Sequence, residues 1–124
     1  MPRPFPRRGE IYLARASARF GRKPRPVIII SPDPRNRWGH DVLAIPLSTT
    51  LRLSREHVLL DRGEGGLPHS SVAKCEQVSS MDKALLDPRP LGRPLSPERL
   101  RQIERALLIA LGILPEGERW SAAG

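Results

Sequence analysis

Cysteine occurs once in the 124 residues, at Cys75, so no intrachain disulfide can form and the chain suits a reducing compartment. Aromatic residues are as scarce: Phe5, Tyr12, Phe20, Trp38 and Trp120 leave the packing to aliphatic side chains. No apolar run approaches the roughly 20 residues that a membrane helix needs. The N-terminus lacks the apolar core of a secretory signal. Together these absences point to a soluble protein of the cytoplasm. A glycine-rich phosphate loop is missing, which removes support for nucleotide hydrolysis. His40, His57 and His69 stand in separate segments without metal-ligand spacing, so no metal site is expected. Their scatter also gives little support to a ribonuclease using two histidines as acid and base. No acyl-transfer constellation surrounds Cys75, which reads as a small buried apolar residue.

Acidic residues are scarce in one half only. Residues 1–55 hold twelve Lys and Arg against three Asp and Glu, while residues 56–124 hold nine against ten. A net charge of +8 distributed in this way marks a polyanion-binding half, with nucleic acid the first candidate. Eighteen of the 21 cations are Arg, which codon bias can explain. It cannot explain why the acids avoid the first half.

The length suits one domain over residues 1–124, and 39% hydrophobic residues supply a modest core that a dimer would help to bury. The chain turns on residues 23–50, where two Val- and Ile-rich runs, 27–31 and 42–47, read as strands joined by a polar loop at 33–40. Runs without polar alternation imply burial on both faces. Pro46 lacks an amide donor and belongs at an edge or bulge. Further strands are expected at 11–14, 56–60 and 70–78, with a short one at 91–95. Residues 1–8 read as an extended arm, 15–23 as a basic loop and 114–124 as a flexible tail. The C-terminal helix is the clearest element: Ser96 is its cap, Pro97 its first residue, Glu98 a first-turn acid and Gly112 its stop. Leu100, Ile103, Leu107, Ala110 and Leu111 form its apolar stripe. Five or six short strands and one helix fit a mainly β (α+β) fold, a small barrel with the helix packed against it.

Antiparallel pairing of 27–31 with 42–47 would set Arg25, at the mouth of the first strand, beside Ser48 and Thr49, just past the end of the second. A guanidinium and a hydroxyl at one rim can handle a phosphate.

The ordered series Arg8-Gly9-Glu10-Ile11-Tyr12, Arg25-Pro26-Val27-Ile28-Ile29-Ile30-Ser31, Asn36-Arg37 and Pro46-Leu47-Ser48-Thr49 resembles the MazF/PemK toxins of bacterial toxin–antitoxin modules. Ser71-Val72, Cys75-Glu76-Gln77, Asp82-Lys83 and the helical ending 106–112 extend the likeness over residues 8–112. The resemblance implies an SH3-like homodimeric barrel that cuts single-stranded RNA at short sequences without a metal or other cofactor. It leaves 2′,3′-cyclic phosphate and 5′-hydroxyl ends, and a MazE-like antitoxin blocks it by laying an acidic segment over the RNA site. Arg25 matches the family's catalytic arginine, which can stabilise phosphorane charge or stand in a proton relay. A guanidinium stays protonated, which favours the electrostatic role. Ser48 stands where the family usually has threonine, with Thr49 next to it, so which hydroxyl acts is open; either can instead cap backbone groups. Glu76 matches an acidic position proposed as a base and is a secondary candidate, and Lys74 lies near a basic one. Two residues apart on a strand, the pair can simply bond each other. Arg8, Arg19, Arg22, Lys23 and Arg37 are candidate phosphate contacts. Trp38 can stack on a base, and Asn36 can read a base edge or shape its turn. The alternatives are a barrel that binds a protein target such as gyrase, and a non-catalytic RNA-binding module. Neither a cation nor a hydroxyl at one rim is needed by the first.

Overall fold

A computed structural model describes residues 4–15 and 23–115. Six strands and two helices follow in order: β1 Ile11–Ala14, β2 Arg25–Ile29, α1 Asp33–Trp38, β3 Asp41–Ser48, β4 His57–Leu60, β5 Ser71–Lys74, β6 Ser79–Asp82 and α2 Pro97–Ala110. All pairings are antiparallel, in the order β1-β2-β3-β5-β4, with β6 also on β3. One flank of β3 is therefore shared between β6, at Asp41 to Ala44, and β5, at Leu47 and Ser48. This shared strand bends the sheet into a small open barrel of SH3 type.

Pro46 explains the break. Ile30 N donates to Leu43 O across β2, so residues 43, 45 and 47 turn their backbone groups to β2, and 44, 46 and 48 turn theirs the other way. Pro46, with no N–H, faces the interval where β6 has ended and β5 has not begun. The sequence places it at an edge or bulge; it lies instead in the central strand, at the one interval where the ladder asks for no donor.

Burial on both faces holds as expected. Ile11, Ile28, Ile45, Leu47, Val58, Leu60 and Ala73 pack with Ile103 and Ala106 of α2 on one side. Tyr12, Ala14, Val27, Ile29, Val42, Ala44, Met81 and Leu86 pack on the other. The outer flank of β1 is closed by residues 85–95: Asp87, Leu91 and Leu95 donate backbone N–H groups to Leu13, Ile11 and Gly9. That segment is not the expected strand at 91–95, because Pro90 and Pro94 interrupt its donors. Gly66 lies against it with φ +85°, and a Cβ there would stand 2.2 Å from Leu91 O.

The expected strand over 70–78 also divides. β5 stops at Lys74, a 3₁₀ turn spans Cys75–Gln77, and β6 follows. Helix α2 begins as its caps require, with Ser96 Oγ accepting from Arg99 N at 3.2 Å. It ends where Gly112 takes φ +74°, with Gly112 N bonded to Ile109 O and Ile113 N to Leu108 O. Its buried face is Ile103, Ala106 and Ile109, whereas Leu111 is 63% exposed. Residues 106–111 are apolar all round, so periodicity alone could not select the face. No helix among the described residues is long and apolar enough to cross a membrane.

Candidate active site

Arg25 opens β2 and Ser48 closes β3, because these strands pair as Val27↔Pro46, Ile28↔Ile45 and Ile29↔Ala44. Carried two residues further, that register sets Arg25 opposite Ser48. Ser48 in turn pairs with Val72 of β5, and Val72 with Leu59 of β4. The next row on the same face runs Val27, Pro46, Lys74 and His57, since side chains two apart share a face. Arg25, Ser48, Lys74 and His57 thus stand on the side of the sheet away from α2. Arg25 and Thr49 are exposed and Ser48 half-buried. Ser48 Oγ accepts from Thr50 N at 3.1 Å, which caps the turn after β3 and leaves its hydroxyl hydrogen to donate. Lys23, two residues before Arg25, is exposed.

Glu76 does not pair with Lys74 along a continuous strand. From the 3₁₀ turn beside Pro46 its carboxylate meets His57, with Nε2 at 2.9 and 3.1 Å from the two oxygens. His57 Nδ1 lies 3.2 Å from Arg52 O. By sequence His57 is one of three scattered histidines with no role. One signal for it existed: in 57–60 it alternates with the core residues Val58 and Leu60 and so faces outward. Its partner was hidden, because a ten-residue connection, 61–70, leaves the β4–β5 register unset by any tight turn. Neighbouring Cys75 is fully buried, and burial, aided by the Glu76 and Glu56 carboxylates, pushes its thiol up to about 12. It is no nucleophile.

The remaining candidates lie elsewhere. α1 follows the far end of β2 and occupies most of the expected loop at 33–40, which places Asn36, Arg37 and Trp38 beyond the start of β3. The eight residues of β3 put about 23 Å, at about 3.3 Å per residue, between that end and Ser48. Asn36 has no exposed surface: Nδ2 donates to Ser31 O at 2.9 Å, and Oδ1 accepts from Ser31 Oγ, which accepts from Leu43 N. It anchors α1 to the β2–β3 connection and cannot read a base. Trp38 is 76% exposed, with the Arg37 guanidinium 4.7 Å above its ring. Arg8 is committed to Ile30 O and, at 2.8 Å, to Glu104 of α2, so it fastens the arm to the helix instead of offering a free phosphate contact. Arg19 and Arg22 lie outside the described residues. A cavity of about 470 Å³ between β4 and α2, lined by Arg55, His57, Asp61, Arg99 and Gln102 among others, includes neither Arg25 nor Ser48. Among the described residues no three His, Cys, Asp or Glu side chains gather as a metal would require.

Residues 7–111 match the family of PemK-like, MazF-like toxins of type II toxin–antitoxin systems. The chain belongs to that family. It is 37% identical over 107 residues to the probable endoribonuclease MazF5 of Mycobacterium tuberculosis, covering 86% of this chain and 94% of that protein. It is 26% identical over 113 residues to the endoribonuclease EndoA of Bacillus subtilis, covering 87% and 96%. A solved mycobacterial endoribonuclease, in complex with its cognate antitoxin, superposes with a TM-score of 0.74 at 28% identity, over 88% of this chain and 97% of that one. The barrel with its C-terminal helix is thus the fold of MazF-like toxins, and Arg25 and Ser48 sit on its helix-free face.

Proposed function

We propose that this toxin is an endoribonuclease that cuts single-stranded RNA through the 2′-hydroxyl, with Arg25 and Ser48 as the phosphate-handling pair. The observation that carries the reading is the β2–β3 register, which, extended two residues past Val27↔Pro46, sets them across from each other in a fold shared with relatives named endoribonucleases. The 2′-oxygen bonds to phosphorus as the bond to the 5′-oxygen breaks, and one proton passes from the first oxygen to the second. The products are a 2′,3′-cyclic phosphate and a 5′-hydroxyl, and the nucleophile belongs to the substrate, so no metal-bound water is called for. Arg25 holds the phosphorane charge, Ser48 or Thr49 donates to a phosphate oxygen, and Glu76 takes the 2′-proton. Lys23 and Lys74 attract the backbone, while Arg37 and Trp38 at the other end of β3 can meet only nucleotides well away from the cut. The toxin works as a homodimer in the cytoplasm, neutralised by an antitoxin whose acidic segment covers the basic face.

Purified protein incubated with a long RNA in excess EDTA, beside Arg25→Ala, tests this. Discrete cuts with cyclic-phosphate ends, reduced at least about 100-fold in the variant, are expected. RNA binding without cutting by the wild-type chain would leave only a binding module; undiminished cutting by the variant would discard Arg25.

A further inference from the structure

The contact between His57 and Glu76 assigns a role to a residue that the reaction above does not use. A backbone carbonyl and a carboxylate only accept hydrogen bonds, and the neutral imidazole carries one N–H. Arg52 O faces Nδ1 at 3.2 Å, and Glu76 faces Nε2 at 2.9 Å. Both contacts exist together only when both ring nitrogens carry hydrogen. A ring so engaged has no bare nitrogen to take a proton from a substrate and no spare N–H to give one. Its side chain is 11% exposed, against 35% for Glu76, so the ring is the fixed member of the pair. It also joins three pieces of chain: β4, the 3₁₀ turn carrying Glu76, and the loop that leaves Ser48 and Thr49.

We infer that His57 is a positioning residue, whose ring, on the same side of the sheet as the Arg25 face, holds the Glu76 carboxylate and ties it to the loop following Thr49. The inference rests on the nuclease reading of that face. The charged groups around the ring are Glu76 itself, Lys74 across the β4–β5 pair, Arg55 and Glu56 along the chain, and Asp61, Arg99 and Arg105 around the adjoining cavity. Loss of the grip frees the carboxylate by a rotamer, and a displacement near 1 Å can cost about 100-fold in turnover.

Two measurements on the full chain test this. Nitrogen-15 spectra of the ring should show both His57 nitrogens protonated at neutral pH in the wild-type protein and a single protonated nitrogen in Glu76→Gln. Cleavage kinetics should show kcat down by about 100-fold in His57→Ala with KM unchanged, and restored to within about tenfold in His57→Gln, whose amide keeps one donor for the carboxylate. Should His57→Ala not fold, the glutamine variant and the spectra carry the test. A bare ring nitrogen in a wild-type chain that cuts RNA would overturn the positioning role alone, as would unchanged kcat in His57→Ala. Absence of cutting by the wild-type chain would overturn the nuclease reading and the role with it.

Discussion

Replacement of Asn36 by alanine separates two uses of the same side chain. As a reader of a base edge, Asn36 would cost activity and no stability; as the buried anchor of α1, it costs stability first. Two hydrogen bonds disappear, Nδ2 to Ser31 O and Ser31 Oγ to Oδ1, at a position with no exposed surface. Ser31, 1% exposed, keeps only the bond it accepts from Leu43 N. A buried carbonyl left without a donor and a buried hydroxyl hydrogen left without an acceptor cost about 1–3 kcal/mol each. Some relaxation toward the smaller side chain brings the total to about 2–4 kcal/mol, a large share of the roughly 5–15 kcal/mol that holds a domain together. At about 4 °C per kcal/mol the melting temperature falls by about 10 °C. Asn36→Asp is worse, because it turns a carboxylate oxygen toward Ser31 O where a donor stood. Urea unfolding at one protein concentration, with equal slopes, measures both variants. An Asn36→Ala midpoint equal to that of the wild type, together with lost cleavage, would refute the anchor and restore the base-reading role.

Three further outcomes follow from packing and charge. Ile103→Ala empties the contact between α2 and the sheet at a fully buried position, and lowers unfolding free energy by about 2–5 kcal/mol in the same urea assay. Gly66→Ala forces a side chain into φ +85° and against Leu91 O, so it should cost more than about 1 kcal/mol and speed hydrogen exchange at the Leu91 amide, which bonds Ile11 O. Glu64 accepts two bonds from Arg99 at 2.9 Å, and that guanidinium holds its carboxyl below the usual range. Its contribution is therefore complete above the ordinary carboxylate range and is lost as pH falls through the lowered value. Glu64→Gln should flatten that acid limb of the stability curve; an unchanged limb would exclude the pair as its source.

Legibility from sequence followed the range of the interaction. Ser96, Pro97 and Gly112 act within one turn of the residues they cap, so the ends of α2 were readable, while its buried face was not, because 106–111 offers apolar side chains in every direction. The runs at 27–31 and 42–47 announced two-sided burial through composition, and they pair antiparallel as expected, from Ile29↔Ala44 to Val27↔Pro46. The central position of Pro46 and the division of 70–78 are not legible in the sequence, since where one strand gives way to another depends on how far the sheet bends. Asn36 was a candidate for RNA because a polar residue among turn formers gives no sign of lying under a helix.

By itself the sequence determined the mainly β fold with its terminal helix, the uneven charge and the family to which the chain belongs, since these reside in local preference, composition and an ordered series of motifs. Tertiary structure alone decided which candidates share a face. It set Arg25, Ser48, Lys74 and His57 on one side of the sheet, sent Trp38 to the far end of β3, buried Asn36 and gave His57 the Glu76 carboxylate. Each of those outcomes depends on a register or a crossing between segments far apart in the chain, and no local preference encodes it.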